Sequence, residues 1–257
     1  MKVSYICPVW VNDQETLDLT VTAILSFKIA VPDAELVIID NASTMGGGFF
    51  RQEATTYVRN SENLGFCPAV NQGYKLCHGD LIAVVNNDIL VAPEWLKVAE
   101  EVFDHDQVGT LHFRMIPYND PFIYGSGVAY EGKERWCTNS FFVISRYFLD
   151  QLKEVEKELE PFPGLIDEHY GRGIYDDYDF AWRIHIAGFK RAYTDKVSYR
   201  HMMTHSFNKL PSEQRKKEIQ ANLDYFINKW GKDPEELFSK TWPKQWAVSY
   251  QEGFKVQ

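Results

Sequence analysis

The sequence has no long apolar run, which bears first on membrane insertion. The opening segment MKVSYICPVW meets polar residues from Asn12 onward, and the run LIAVV at 81–85 has only the length of a buried strand. A spanning helix needs about 20 apolar residues, and a signal peptide needs its own apolar stretch behind a basic end. We therefore expect no transmembrane segment and no secretory leader.

Basic residues are also few. The 257 residues include 27 Lys and Arg against 36 Asp and Glu, which gives a formal net charge of −9. Nucleic-acid binding requires a basic surface, so the composition argues against nucleic acid as the main partner. An anionic substrate is still compatible with this charge if a divalent cation binds beside it.

The cysteines form no C-x-x-C pair. All four lie in or beside apolar segments: Cys7, Cys67, Cys77 and Cys137. This spacing predicts buried free thiols, which are typical of a reducing compartment. We expect a cytoplasmic protein, and peripheral attachment to the inner face of a membrane stays open.

Three familiar site motifs are missing as well. Neither G-x-G-x-x-G nor G-x-x-x-x-G-K-[ST] occurs, which argues against dinucleotide oxidoreductases and P-loop proteins. The triplet Gly46–Gly48 precedes no P-loop lysine and predicts a flexible loop rather than a phosphate cradle. No H-E-x-x-H occurs either, so His201 and His205 are expected to be structural or to add one ligand to a metal held elsewhere.

Strands and helices alternate in the first half of the chain. A continuous apolar run at 3–9 is typical of a parallel strand that is covered on both faces. The same pattern predicts strands at 35–40, 55–60 and 80–88 and helices at 13–30, 67–77 and 93–104. This alternation predicts an α/β fold with a Rossmann-like, mostly parallel central sheet flanked by helices.

The pattern changes after about residue 110. Strand-like segments are predicted at 108–115, 122–130 and 138–145, and helices at 146–159, 176–187 and through 206–257. No linker rich in Pro, Gly or Ser separates these regions. We therefore predict a single domain over 1–205 with halves 1–110 and 111–205, and a C-terminal helical extension over 206–257 that packs on it.

Residues with hydrogen-bonding side chains lie at the ends of three predicted strands. They are Trp10, the pair Asp40–Asn41, and the triplet Asn86–Asp88. Ligands of open α/β sheets bind outside the carboxyl ends of the strands, so these groups are expected to converge on one site. Asp88 with its amide neighbours offers oxygen ligands to Mg²⁺ or Mn²⁺, although a plain turn has the same composition.

A second acidic group begins the helix predicted at 176–187. Asp176, Asp177 and Asp179 lie within four positions. Helix caps explain one such carboxylate, and three close together repel one another. The helix dipole keeps an acid here ionised at neutral pH, which suits a general base acting on a hydroxyl. Asp179 and Arg183 are spaced four apart and are predicted to pair on the helix surface.

With these motifs in this order, the chain resembles the family 2 glycosyltransferases, and rhamnosyltransferase-like members are the nearest. The resemblance spans about residues 3–206 and rests on ICPVWVN, VIIDNAST, NLGFCPAVNQG, VVNND, and LIDEHY with YDDYDFAWRIHIAGFK followed by HMMTHS. It implies the GT-A fold, with the C-terminal helical extension outside the shared part.

The resemblance also implies roles for the residues at these motifs. The nucleotide-sugar would be bound by Pro8, Trp10, Asp40, Asn63, Gly65, Asn86 and Asn87. The metal would be bound by Asp88, with His201 or His205 as a further ligand, and Asn86 replaces the first acid of the usual D-x-D motif. Asp177 would be the catalytic base, beside Asp176 in place of the usual Glu.

The implied activity is inverting, metal-assisted transfer from a UDP-, dTDP- or GDP-sugar to a hydroxyl of a glycan or lipid-linked acceptor, as in polysaccharide biosynthesis. The cofactor would be Mn²⁺ or Mg²⁺. Trp136, Thr138 and Asn139 would border the acceptor cleft. The glycine-rich loop around residues 161–173 would close over the donor as a lid, or would be a merely irregular connection.

Two other classes stay open from the sequence alone. A sugar nucleotidyltransferase usually carries a Gly-rich basic loop after its first strand, and PVWVNDQETL lacks one. A non-catalytic nucleotide-sugar or glycan-binding module would not need acids at 88, 176 and 177.

The apolar stripe of the C-terminal helix, which includes Phe226 and Trp230, predicts packing on the core, with docking to a membrane or partner as the alternative.

Overall fold

A computed structural model describes residues 1–104, 108–117, 139–155, 164–202, 211–234, 236–237 and 247–249. Several predictions lie outside these ranges and are not tested by them. They concern Cys137, the strand at 122–130, the acceptor residues Trp136 and Thr138, and His205.

The described residues form a nine-stranded sheet with helices on both faces. In chain order the strands are β1 (Val3–Val9), β2 (Glu35–Asp40), β3 (Thr56–Arg59), β4 (Leu81–Val85), β5 (Ile89–Val91), β6 (Val108–Pro117), β7 (Phe141–Ser145), β8 (Lys190–His201) and β9 (Ala247–Ser249). The helices are α1 (Gln14–Ala30), α2 (Gly47–Glu53), α3 (Phe66–Tyr74), α4 (Trp95–Phe103), α5 (Arg146–Val155), α6 (Asp176–Ile186) and α7 (Ser212–Trp230).

The sheet order is β3-β2-β1-β4-β7-β6-β8-β5, and β9 pairs with β8. β1, β2, β3 and β4 pair in parallel, whereas β7 runs antiparallel to both β4 and β6. β6 and β9 are parallel to β8, and β5 is antiparallel to it. The mostly parallel α/β sheet predicted from the sequence is therefore confirmed.

The buried central strands separate two apolar cores. All seven residues of β1 are buried, and they point alternately to the two faces. On one face Tyr5 stacks on Phe27 and accepts a 2.9 Å hydrogen bond from Nε1 of Trp95. On the other face Phe142, Phe180 and Phe226 belong to one buried cluster. Phe226 lies on α7, so the C-terminal helix contributes to the same core as the sheet.

Three predictions of secondary structure are wrong in detail. The strand predicted at 80–88 ends at Val85, and a separate β5 begins at Ile89 because the polar residues between them form a turn. Gly46–Gly48 is not a flexible loop: Gly46 has φ +81° at the N-cap of α2, and burial of Phe50 fixes that helix. The segment 206–257 is not wholly helical, since β9 extends the sheet.

The second half brings distant segments to the strand ends. The backbone N–H of Asn86 donates a 2.9 Å hydrogen bond to the carbonyl of Ser140, just before β7. The β5–β8 register pairs Ile89 with His201.

Within the described ranges, no helix is both long and apolar enough to cross a bilayer.

Candidate functional site

The carboxyl ends of β1 and β2 are tied into one edge. Val9 pairs with Asp40, and the N–H of Asn41 donates a 2.8 Å hydrogen bond to the Val9 carbonyl. Pro8 lacks an N–H, and it lies in β1 beyond Ile6, the last residue registered with β4. β1 therefore extends past its last pairing with β4, and Trp10 follows it half-buried.

Asp40 is fully buried, and its carboxylate binds neighbouring protein groups. Oδ1 accepts a 2.7 Å hydrogen bond from the N–H of Ser43, and Oδ2 accepts one of 2.6 Å from the Tyr57 hydroxyl. Oδ2 also accepts from Arg59, which binds the Ser43 carbonyl as well. Direct contact between Asp40 and a base would require movement of Arg59, whose side chain is 43% exposed.

A network of side-chain amides links this edge to the loop before α3. Asn41 donates to the Gly65 carbonyl at 3.0 Å and accepts from Asn60 at 2.8 Å. Asn60 also donates to Gln72 at 2.9 Å, and Asn63 accepts from the N–H of Gly65 at 2.9 Å. The predicted residues Asn63 and Gly65 therefore join the strand-end site, and Asn60 and Gln72 are additional members that sequence reasoning missed.

Gly65 approaches the backbone of Gly171 closely. Its φ is +97°, and a Cβ there would lie 2.6 Å from the carbonyl carbon and oxygen of Gly171. The N–H of Cys67 donates a 2.9 Å hydrogen bond to that same oxygen. Only glycine permits this contact, which brings the segment before α6 against the N-terminus of α3.

The Asn86–Asp88 turn faces β8 and α1. Asn87 donates a 2.8 Å hydrogen bond to the hydroxyl of Thr20, so its amide nitrogen is directed toward α1. Asp88 is buried, and its Oδ1 lies 3.2 Å from Nε2 of His201. The predicted metal ligands Asp88 and His201 are therefore brought together.

The donor atoms of this pair fit a divalent cation. A carboxylate oxygen and an imidazole nitrogen are both accepted by Mn²⁺, and Mg²⁺ is bound mainly through oxygen ligands, including one or two carboxylates, phosphate and water. Nδ1 of His201 is buried and has no hydrogen-bond partner among the described residues. Those residues contain no group of three or more His, Cys, Asp or Glu side chains that could hold a metal. Water and phosphate oxygens are the ligands that usually complete the shell of such a cation.

A strained turn precedes the acidic start of α6. Gly173, Ile174 and Tyr175 all have positive φ, of +106°, +71° and +69°. The chain then enters α6 at Asp176, whose Oδ2 accepts a 2.8 Å hydrogen bond from Nδ2 of Asn139. The sequence predicts Asn139 at the acceptor cleft, and the structure places it beside the acid pair.

The electrostatic setting of the two acids favours the protonated forms. Burial and the neighbouring Asp176 charge raise the pKa of Asp177 to about 7. Burial also raises the pKa of Asp176, against hydrogen bonds from Asn139 and from the N–H of Ile174 that lower it. The expectation that the helix dipole keeps an acid here fully ionised at neutral pH is therefore wrong for Asp177, because burial and the Asp176 charge outweigh the dipole. Asp177 instead changes protonation near neutral pH, which suits a general base.

The sequence profile of the family described as Glycosyl transferase family 2 matches residues 5–156, which is well over half of the chain. The chain belongs to glycosyl transferase family 2. It is thus a glycosyltransferase, and the resemblance inferred from the motif order is confirmed. The rhamnosyltransferase-like subgroup stays a prediction. No curated protein matches the sequence.

Solved structures of glycosyltransferases share the fold of this family 2 member. S. aureus TarS 1–349 is 14% identical with a TM-score of 0.55, and the match covers 95% of this chain and 76% of TarS 1–349. The mannosyltransferase PcManGT from Pyrobaculum calidifontis, in complex with GDP-Man and Mn²⁺, is 17% identical with a TM-score of 0.57. This match covers 92% of this chain and 67% of the PcManGT chain. TarS 1–349 in complex with UDP-GlcNAc is 14% identical with a TM-score of 0.55, covering 95% and 77%. The GT-A fold is therefore confirmed.

The third acid of α6 is bound by side chains of α7 in this glycosyltransferase. Asp179 is fully buried and accepts 2.7 Å and 2.8 Å hydrogen bonds from Lys229 and Trp230 of α7. Lys229 also donates to Asp167 at 2.7 Å. Arg183 lies 4.0 Å from Asp179 and is equally buried, so the predicted pairing on the helix surface is wrong in its location. Asp167 and Asp179 are both buried carboxylates, which explains why Lys229 of α7 lies between them as a compensating cation.

Proposed function

We propose that this glycosyltransferase transfers a sugar from a nucleoside-diphosphate sugar to an acceptor hydroxyl with inversion, and that Asp177 is the general base. The observation that carries this proposal is the link between the two halves of the site. Asn86 binds the Ser140 carbonyl, and the adjacent Asn139 binds Asp176. Through these two hydrogen bonds, Asn139 and Ser140 connect the acid pair to the Asn86–Asp88 turn, where the donor diphosphate would lie.

The donor half would use the strand-end residues. Trp10 and the segment from Asn63 to Gly65 would lie against the base and ribose, with Asp40 fixing the edge and accepting from the base once Arg59 moves. Asn86 would reach the ribose and Asn87 would hold the turn through Thr20. The donors bound by the neighbours, UDP-GlcNAc and GDP-Man, support UDP- and GDP-sugars as candidates, and a dTDP-sugar stays a third candidate from the sequence.

Asp88 and His201 would hold Mn²⁺ or Mg²⁺. The cation would supply positive charge that stabilises the departing nucleoside diphosphate. Support comes from the buried carboxylate–imidazole pair and from the Mn²⁺ in the complex of the mannosyltransferase.

Asp177 would remove the proton of the acceptor hydroxyl as that oxygen attacks the anomeric carbon. Its raised pKa makes the ionised carboxylate a stronger base than an ordinary aspartate. Attack from the face opposite the leaving group gives inversion. Asp176, held by Asn139, would stay beside it and keep the Asp177 pKa high.

The acceptor would be a glycan or lipid-linked hydroxyl, bound by residues around Asn139, Trp136 and Thr138. An acceptor of that kind is compatible with a role in polysaccharide biosynthesis in the cytoplasm, and attachment to the inner face of a membrane stays open.

A ligand screen tests the donor half. UDP, dTDP and GDP, each with and without Mn²⁺, are compared by thermal shift, with ADP as the control nucleotide. We expect one diphosphate to raise the melting temperature more with Mn²⁺ than alone, since a ligand at 100 times its Kd adds about 2.7 kcal/mol. No shift with any nucleotide would contradict donor binding. A shift without donor hydrolysis or transfer would favour a non-catalytic binding module.

A further inference from the structure

The turn before the acid pair holds two residues with side chains, Ile174 and Tyr175, in a backbone conformation that they disfavour. Gly171, Gly173, Ile174 and Tyr175 all have positive φ. Positive φ at a residue with a side chain costs about 1–3 kcal/mol, and it persists only when surrounding contacts enforce it. Because Ile174 and Tyr175 are adjacent, the turn needs a strong external restraint.

Asn222 of α7 supplies contacts of the required kind. Its Nδ2 lies 2.8 Å from the carbonyl oxygen of Gly173, 3.1 Å from that of Ile174 and 3.2 Å from that of Tyr170. An amide nitrogen carries two hydrogens, so the three carbonyls share them. Asparagine is a poor residue for a helix interior compared with alanine, so its presence mid-helix is consistent with a role outside the helix.

The conformation of the turn determines where the acids lie. The N–H of Ile174 donates to the Asp176 carboxylate, and a Cβ on Gly173 would come within 3.3 Å of Oδ1 of Asp176. At its other end the turn is fixed by the hydrogen bond from Cys67 to Gly171. A change at Ile174 therefore moves Asp176 and the adjoining Asp177, while the contact between Gly171 and the loop before α3 stays in place.

We propose that Asn222 is a positioning residue that holds the Gly171–Tyr175 turn in its strained form and so orients Asp176 and Asp177 for catalysis. The catalytic part of this inference rests on the proposed function of Asp177. The C-terminal helix α7, which lies beyond the part of the chain matched by the family profile, then forms part of the catalytic apparatus through the backbone of the turn.

The direct test compares Asn222→Ala with Asn228→Ala. Asn228 is exposed on the same helix, so both changes alter helix propensity equally. We expect Asn222→Ala to lower kcat by about 10- to 100-fold, the effect of an acid displaced by about 1 Å. The donor KM should change little, because the donor half does not contact Asn222. Asn222→Gln, which keeps an amide donor, should retain intermediate activity.

A double-mutant cycle tests whether backbone strain at Ile174 causes the loss of activity in Asn222→Ala. Ile174 is 39% exposed, so Ile174→Gly removes little packing while relieving the cost of positive φ. The loss caused by Asn222→Ala should therefore be smaller in the Ile174→Gly background than in the wild type. Equal losses in both backgrounds, or equal behaviour of Asn222→Ala and Asn228→Ala, would overturn the inference.

Hydrogen exchange separates this inference from the proposed function. Amides of residues 171–179 should exchange faster in Asn222→Ala than in the wild type, and at the wild-type rate in Asn228→Ala. If the wild type transfers no sugar but exchange rises as stated, the proposed function fails and the restraint on the turn stands. If the wild type is active and exchange is unchanged, the inference fails alone. Should Asn222→Ala not fold, the same comparison uses Asn222→Gln.

Discussion

Asn139 donates a 2.8 Å hydrogen bond to Asp176, and this bond joins the segment before β7 to the first turn of α6. The two residues are 37 positions apart, and Asp176 is buried. A buried carboxylate without a partner would be costly, so Asn139 both stabilises Asp176 and fixes its direction. The carbonyl of the adjacent Ser140 accepts a hydrogen bond from the N–H of Asn86, so the same segment connects the acid pair to the turn that carries Asp88.

The raised pKa of Asp177 predicts that stability falls as pH rises. The folded protein holds this proton more tightly than the unfolded chain, whose pKa is near 3.8. The associated stability is therefore complete below that value and is lost as pH rises through about 7. Asp177→Asn removes this titration, so it should gain stability relative to the wild type by up to about 1.4 kcal/mol per pH unit across that window. Urea unfolding of both proteins at pH 5 and pH 8 measures the difference, and a pH-independent difference would contradict the assignment.

Gly65→Ala should weaken the contact between the α3 loop and the α6 turn. The alanine would need φ of +97° and a Cβ 2.6 Å from Gly171, so unfolding should become easier by at least about 1–3 kcal/mol. Gly48→Ala in α2 is the matched control, because no atom lies within 4 Å of the position that its methyl group would take. Chemical denaturation should show the control to be neutral or more stable by up to about 1 kcal/mol. Similar losses in the two variants would rule out the close approach as the cause.

Lys229→Met should strongly destabilise the fold. Burial alone would raise the pKa of Asp167, but the hydrogen bond and charge of Lys229, together with hydrogen bonds from the His169 N–H and Tyr225, outweigh it and the pKa is lowered. Removing the cation leaves the buried Asp167 without the Lys229 charge and Asp179 with Arg183 at 4.0 Å, at a cost on the order of 3 kcal/mol. The exposed Lys217→Met on α7 is the control. Since the Asp167 contribution is present above its unfolded pKa and lost as pH falls through the folded one, the difference between variants in urea unfolding should shrink in acid. A difference that persists unchanged at low pH would argue against the ion pairs.

Asp88→Asn should weaken metal-dependent donor binding. The loss should exceed about 10-fold, since even outer-shell partners of a metal contribute about 10- to 100-fold. EDTA should reduce wild-type transfer, and Mn²⁺ or Mg²⁺ should restore it. Asp33→Asn, an exposed acid before β2, serves as control. Transfer that is indifferent to EDTA, or equal nucleotide affinity in the two variants, would exclude the metal role of Asp88.

The first half of the fold could be predicted from the sequence because its signals are local. The bounds of β1 and β2 coincide with the predicted strands, since each is a continuous apolar run that ends in polar residues. The order of β7, β6 and β8 could not be predicted in this way, because antiparallel insertion into a parallel sheet depends on contacts between distant segments. The helix α2 is not predicted because Gly47 and Gly48 are poor helix formers, and the burial of Phe50 outweighs them.

Some site residues could likewise be recognised from the sequence, whereas their partners could not. Asp88 is recognisable because polar groups coincide at three strand ends, and Asp176 and Asp177 because three clustered acids exceed what one helix cap requires. The partners of these acids could not be found from spacing, since Asn139 lies far from Asp176 in the chain and Asn222 acts on backbone carbonyls. The burial of Asp179 with Lys229 is likewise hidden, because its spacing from Arg183 suggests a simple surface pair.

Transfer and donor binding measured together in Asp177→Asn test the assignment of the catalytic base most directly. The donor identified by the thermal-shift screen and its acceptor are used in single-turnover assays of the wild type, Asp177→Asn and the exposed control Asp33→Asn. Asp177→Asn should bind the donor with nearly wild-type affinity and lose transfer by about 10²- to 10⁴-fold, the usual contribution of a general base. Wild-type transfer by Asp177→Asn would show that Asp177 is not the base.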